Sequence, residues 1–213
     1  MNAVAPTVHV VDDDQSFLRA TARLLTASGF EVRTHDSAER FFEQWNRRGP
    51  GCVVTDLELP GVNGLDLQQA VAQAEDPLPV LILTGHGDVA TTKRALRGGA
   101  EDYLEKLGPA EELLDAVRRA LARDAVLRQE RARRAADKAA FDSLTVREHE
   151  VLSQVVRGRL NKQIAGDLDL HERTVKLHRQ TLMTKLGVRS VAELTRLAQE
   201  GGLFDPLSES ASP

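Results

Sequence analysis

The chain has 213 residues, a net charge of −4, one cysteine and only 4% aromatic residues. That length suits one large or two small domains, with a core built mainly from Val, Leu, Ala and Ile. The lone Cys52 excludes an intramolecular disulfide, no apolar run approaches the roughly 18 residues needed to span a bilayer, and no secretory signal opens the chain, so a cytoplasmic protein with no membrane partner is expected.

The charge is unevenly spread. Residues 1–121 hold 12 Lys/Arg against 19 Asp/Glu, a balance of −7, while the remainder carries +3. In the first half, short apolar runs alternate with amphipathic ones. Strands are predicted at Val8–Val11, Phe30–Thr34, Cys52–Thr55, Val80–Thr84 and Asp102–Glu105. Helices are predicted at about Gln15–Ser28, Ala38–Arg47, Gly64–Ala74, Val89–Gly98 and from Ala110 onward. Five strands alternating with five helices predict an α/β, doubly wound, five-stranded parallel sheet covered on both faces. Function in such sheets gathers at the carboxyl ends of the strands, near the point where the strand order reverses.

From Ala110 to Ala140 there is neither Pro nor Gly, and Leu113, Leu114, Val117, Leu121, Ala125 and Leu127 keep partial helical spacing. The spacing predicts a last helix running on into a linker, with Arg131–Arg134 on a solvated face. The remainder reads as all helix: Arg147–Val156, Lys162–Leu168, Glu172–Leu186 and Val191–Gln199. Thr145 and Glu148 have capping-box spacing, Gly158 and Gly187 mark breaks, and Gly201-Gly202 ends the last helix. The expected organisation is residues 1–121, a helical linker over 122–142, an all-α four-helix domain over 143–204, and a disordered tail over 205–213.

Chemistry-bearing residues sit where strands end. Asp12, Asp13 and Asp14 follow the first strand, Asp56 the third, Thr84 ends the fourth, and Lys106 follows the fifth. Clustered carboxylates repel one another unless a cation relieves them, and Mg²⁺ suits oxygen ligands. A carboxylate can attack phosphorus to form an acyl phosphate, with Mg²⁺ and Lys106 neutralising charge and the Thr84 hydroxyl donating to the new phosphoryl group. Adjacent aspartates often do no more than cap a helix, and Asp14 is given that role. The set as a whole, spread over four strand ends, points to a site.

One competing motif is present. Gly85-His-Gly87-Asp-Val-Ala90 fits a dinucleotide-binding pattern, with Glu105 20 residues beyond Gly85. It follows the fourth strand instead of the first, and a nicotinamide enzyme would leave Asp12, Asp13, Asp56 and Lys106 unexplained.

Over residues 7–121 the chain resembles the receiver domain of two-component response regulators, a flavodoxin-like fold. The resemblance rests on Asp12-Asp13, Asp56 followed by Leu57-Glu58-Leu59-Pro60-Gly61, Thr84-Gly85-His86-Gly87, and Gly99 through Lys106. It implies that Asp56 is the phosphoacceptor of a phosphorelay and that Asp12, Asp13, Asp56 and the Glu58 backbone carbonyl hold Mg²⁺. It further implies that Thr84 and Tyr103 form the pair that rearranges on phosphorylation. In the family a proline, commonly in a cis peptide, follows the lysine, and here Leu107 stands instead. A cis bond there would cost roughly 2.5–4 kcal/mol, so a trans peptide is expected, with a shifted Lys106 or loop as its consequence.

The pair of helices at Lys162–Leu168 and Glu172–Leu186 has helix-turn-helix proportions. Arg173, Lys176, Arg179 and Gln180 fall on or near one face of the second, with Val175, Leu182 and Leu186 turned inward. A basic helix face is usually mere solvated surface. Here, however, residues 143–202 resemble a LuxR-type output domain through Leu144–Glu148, Asn161–Ala165, Arg173–Arg179 and Met183–Ser190. By position, the resemblance makes Lys176, Leu177 and Gln180 base contacts. Asn161, Lys162, Arg173, Thr174, His178, Arg179 and Lys185 become phosphate or scaffold contacts. His171 stands where a helix-capping Ser is common.

Both halves in this order resemble the FixJ branch of the response regulators (the NarL/FixJ type). The resemblance implies a non-enzymatic transcription regulator that takes phosphate from a sensor histidine kinase, dimerises through about Val89–Lys106, and binds paired sites on double-stranded DNA. RNA polymerase is a further candidate partner. The alternative is a phosphorylation-independent DNA-binding regulator whose receiver serves only protein contacts, supported by Leu107 alone.

Overall fold

A computed structural model describes residues 4–85 and 98–201. The helix expected around 89–98, most of the Gly85–Ala90 motif and the tail beyond 201 lie outside the described residues. The chain divides into two compact units, 1–129 and 130–213.

The first unit is built on five parallel strands, β1 (Thr7–Val11), β2 (Glu31–His35), β3 (Gly51–Asp56), β4 (Val80–Thr84) and β5 (Asp102–Glu105), in the order β2-β1-β3-β4-β5. The chain moves outward from β1 to β2 and then returns past β1 to β3, so the order reverses between β1 and β3. Among the described residues the helices are α1 (Gln15–Ala27), α2 (Ala38–Gln44), α3 (Gly64–Ala72) and the first part of α4 (Ala110–Asp142). Every residue of β3 and β4 is buried, as expected of central parallel strands covered on both faces. Alternate side chains feed two cores. Val8, Val10, Val54, Leu81 and Leu83 pack with Leu18, Leu25 and Val117. Val11, Val53 and Ile82 pack with Phe41, Trp45, Leu67 and Val71.

Two polar features are built into this unit. On the α2 face, His9 Nδ1 and His35 Nε2 are 3.0 Å apart, and both rings meet Phe41 edge-on. Burial first, then the nearby Arg33 charge (with His35 also acting on His9), pushes both imidazoles down to about 4. The unfolded chain, with pKa near 6.5, binds protons that the folded pair refuses. Stability is therefore expected to fall as pH drops from 6.5 toward 4, by on the order of 2 kcal/mol per imidazole at pH 5. Trp45, the single tryptophan, stacks on the same Phe41 at 5.3 Å and reports the unfolding of this unit. A Trp45 melting temperature unchanged between pH 7 and 5 would contradict that account.

At the opposite end of the sheet, Asp124 of α4 is 1% exposed and accepts hydrogen bonds from the Gly51 amide at 2.9 Å and from Arg128 Nε at 3.0 Å. Arg128 also donates to the carbonyls of Arg48 and Gly49. This clamp ties α4 to the entry of β3 and explains why the first unit extends to residue 129. Asp124→Ala strands a buried amide and a guanidinium. It is expected to cost about 2–4 kcal/mol in urea unfolding followed by Trp45 fluorescence. A loss under 0.5 kcal/mol, the usual scatter of surface changes, would sink it.

Among its described residues the second unit contains the end of α4 and four helices, α5 (Val146–Val156), α6 (Asn161–Asp167), α7 (Glu172–Lys185) and α8 (Val191–Glu200). Phe141, Val151, Leu152, Ile164, Val175, Leu182 and Leu194 form its core. The capping box at Thr145 is present in both directions, whereas His171 makes no side-chain cap to α7, as its identity implied.

Candidate functional site

In the first unit the acidic run divides its labour. Asp14 caps α1, accepting from the amides of Ser16 at 2.7 Å and Phe17 at 3.3 Å. Asp12 is fully buried and accepts the Asp14 amide at 2.9 Å, while Asp13 is exposed. Asp56 ends β3 beside them. A Cβ on Gly64 would lie 2.2 Å from the Asp56 carbonyl oxygen, so a glycine is needed for α3 to start this close to the end of β3.

Lys106 closes the group. Its Nζ lies 2.6 Å from Asp12 Oδ2 and 2.8 Å from Asp56 Oδ2. Burial pushes the Asp12 carboxyl above its ordinary value, and hydrogen bonds from Lys106 and the Asp14 amide offset this only in part. Burial alone would lower the Lys106 ammonium, but its hydrogen bonds to Asp12 and Asp56 outweigh that and hold it above the usual value.

One oxygen from each of Asp12, Asp13 and Asp56 lies within 4.8 Å of the others. Among the described residues three carboxylates face one ammonium, which leaves an excess of negative charge, and their oxygen donors fit a hard divalent cation. Glu58, whose carbonyl the family resemblance adds to this set, is exposed two residues beyond β3.

Thr84 is 1% exposed at the end of β4, and its carbonyl accepts the Lys106 amide at 2.8 Å. Tyr103 pairs in register with Ile82 and is half-buried against the α2–α3 core, its hydroxyl already withdrawn from solvent and without a hydrogen-bond partner among the described residues. No peptide bond among the described residues is cis, and Leu107 is 94% exposed. Lys106 is held from other directions, by the Thr84 carbonyl at its amide and by the two carboxylates at its ammonium.

In the second unit, α6 and α7 form the helix-turn-helix pair. Val175 and Leu182 are fully buried and Leu186 nearly so. Arg173, Lys176, Leu177 and Gln180 are exposed along the opposite side of α7, at helical spacings of three and four, and Lys162 is exposed on α6. Leu177 keeps 62% of its surface in solvent although the core has apolar residues of its own. Thr174 and His178 are half-buried at the edges of this face.

Three candidates are engaged within the unit. Arg179 Nη1 donates to Asn161 Oδ1 at 2.6 Å, joining α7 to α6. Lys185 reaches Glu148 at 2.7 Å and the Ser143 carbonyl at 3.3 Å. The Lys185 bond, followed by the Thr145 amide, pulls the Glu148 carboxyl down to about 2. These bonds tie Asn161, Arg179 and Lys185 to neighbouring helices of the unit.

The profile described as a response regulator receiver domain matches residues 8–118, and that of the luxR family of bacterial regulatory proteins matches 142–198. The chain belongs to the two-component response regulators of the NarL/FixJ type. It is 36% identical over 199 residues to the response regulator protein TodT of Pseudomonas putida, covering 93% of this chain and 88% of TodT. It is 40% identical over 197 residues to the transcriptional regulatory protein FixJ of Azorhizobium caulinodans, covering 92% and 93%.

Among solved structures, the response regulator StyR matches with a TM-score of 0.85 at 42% identity, over 92% of this chain and all of StyR. Full-length FixJ from B. japonicum matches at 33% identity with a TM-score of 0.57, over 95% of this chain. Like other response regulators of this type, the protein is a phosphorylation-regulated transcription regulator. No helix among the described residues is long and apolar enough to cross a membrane.

Phe17, whose ring lies under Lys106, and the Asp124–Arg128 clamp belong to no motif of the sequence. For the clamp a signal existed, an Asp–Arg pair four residues apart in a helix.

Proposed function

We propose that Asp56 is the phosphoacceptor. The observation that carries this is the Lys106 ammonium bridging Asp56 and the buried Asp12 at 2.8 and 2.6 Å. A sensor histidine kinase presents a phosphohistidine, an Asp56 carboxylate oxygen attacks the phosphorus, the P–N bond breaks, and the electron pair leaves with the imidazole. Asp12, Asp13, Asp56 and the Glu58 carbonyl would hold Mg²⁺, which when bound neutralises phosphoryl oxygens. Lys106 meets charge on the transferred group, the Thr84 hydroxyl donates to it, and Tyr103 responds to the Thr84 movement.

The phosphorylated receiver dimerises in part through 89–106, of which 98–106 are described. On DNA, Lys176, Leu177 and Gln180 meet base edges while Arg173, Lys162, Thr174 and His178 meet phosphates. Asn161, Arg179 and Lys185 hold the helices that present them. The protein acts in the cytoplasm, as a homodimer on its operator, with RNA polymerase as a further partner.

Incubation with a small acyl phosphate and Mg²⁺, followed by intact-mass and peptide mapping, tests the assignment. One acid-labile phosphoryl group on Asp56, absent in Asp56→Asn and without Mg²⁺, is expected. Equal incorporation into Asp56→Asn would refute it.

A further inference from the structure

Lys106 makes a contact that charge neutralisation does not require. Its ammonium nitrogen stands 4.8 Å from the centroid of the Phe17 ring while its other side meets Asp12 and Asp56. The lysine side chain is only 17% exposed, so little water competes for it. A cation over an aromatic face at this distance is attracted by the ring quadrupole, more strongly as the pair is withdrawn from solvent.

The ring is itself held in place. Phe17 lies in the first turn of α1, where its amide donates to Asp14, so the helix-capping aspartate fixes the turn that carries the ring. With Lys106, Leu24, Leu104 and Pro109, Phe17 lines a cavity of about 300 Å³ between α1 and the start of α4. The residue after the lysine supplies no comparable support. Leu107 projects into solvent, and the tight turn behind it closes through the Gly108 amide on the Glu105 carbonyl at 3.0 Å.

We propose that Phe17 is a positioning residue for phosphorylation of Asp56, holding the Lys106 ammonium over the carboxylates through its ring face. Lysine is a compact charge on a flexible four-carbon stem, and its value to the transferred phosphoryl group depends on the head being in place beforehand. The side chain after Lys106 packs on nothing that would immobilise that stem, and the ring restrains it from beneath.

This inference rests on Asp56 being the phosphoacceptor, and the test separates the two. Rates of Asp56 phosphorylation by a small acyl phosphate in Mg²⁺ are measured on the full chain for wild type, Phe17→Leu and Phe17→Tyr, with Mg²⁺ affinity from calorimetry. Leu fills much of the volume without the quadrupole, and Tyr keeps it. Phe17→Leu is expected to slow phosphorylation about fivefold to tenfold with Mg²⁺ affinity unchanged, while Phe17→Tyr stays within about twofold of wild type. In a Lys106→Met background, Phe17→Leu is expected to have no further effect.

A Phe17→Leu rate within twofold of wild type would overturn the proposal. So would a Phe17→Tyr protein as slow as Phe17→Leu, or an undiminished Phe17→Leu effect without the lysine, each pointing to packing alone. Should Phe17→Leu fail to fold, Phe17→Tyr against Phe17→Met carries the same comparison. A wild type that takes no phosphoryl group on Asp56 removes the phosphoacceptor reading itself, whereas normal wild-type phosphorylation with an indifferent Phe17 removes only this one.

Discussion

Lys106→Met is expected to slow phosphoryl transfer to Asp56 by about 100-fold or more, the usual loss when one preorganised electrostatic partner of a transferring group is removed. The same change has a second signature in the resting protein. Lys106 is the cation found against both Asp12 and Asp56, and Asp12 already has its carboxyl raised by burial. Without the ammonium, a fully buried carboxylate faces two others, so Lys106→Met lowers the metal-free melting temperature read by Trp45. Added Mg²⁺ restores stability more in the variant than in wild type, because the cation then supplies all the compensating charge. Phosphorylation at the wild-type rate, or indifference of the variant's stability to Mg²⁺, would break the link between this geometry and the chemistry.

On DNA, the largest single effect is expected from Lys176→Ala. Lys176 is exposed at the middle of the outward face of α7, between Arg173 and Gln180. If its ammonium meets a guanine edge, its loss costs about 1–3 kcal/mol, or roughly 10–100-fold in operator affinity, and relaxes preference at one base position. Arg173→Ala, at the start of the helix, is expected to weaken operator and random DNA alike and to reduce the salt slope by about one. Arg179→Ala differs from both, since Arg179 is bonded to Asn161 and its loss destabilises the second unit before any DNA is added. Binding titrations at several salt concentrations, against operator and scrambled duplexes, distinguish the three patterns. Unchanged affinity in Lys176→Ala would remove α7 as the reading helix.

The parts legible in the sequence are those with local causes. Val80–Thr84 and Asp102–Glu105 are continuous apolar or half-apolar runs bounded by breakers, and both strands have the predicted ends. Where ends moved, a tertiary or capping contact moved them. The second strand begins at Glu31 instead of Phe30 because the Phe30 amide closes the end of α1 on the Leu25 carbonyl at 3.1 Å. The second helix stops at Gln44 instead of continuing to Arg47 because Trp45 turns to extended geometry and stacks on Phe41.

Asp12, Asp56 and Lys106 were legible as a site because parallel strands of one sheet deliver their carboxyl ends to one edge. Contacts between residues far apart in the chain left no such trace. Phe17 under Lys106, Asp124 on the Gly51 amide 73 residues away, and Lys185 on Glu148 37 residues away follow only from the packed structure. The same packing holds Lys106 against Asp12 and Asp56 while Leu107 points into solvent.

The central claim, that modification of Asp56 drives assembly of the regulator, is tested most directly by solution mass in Mg²⁺ with and without beryllofluoride, an aspartyl-phosphate analogue. The account predicts a shift from monomer to dimer in the wild type and none in Asp56→Ala. An unchanged wild-type mass, or the same shift in Asp56→Ala, would contradict it.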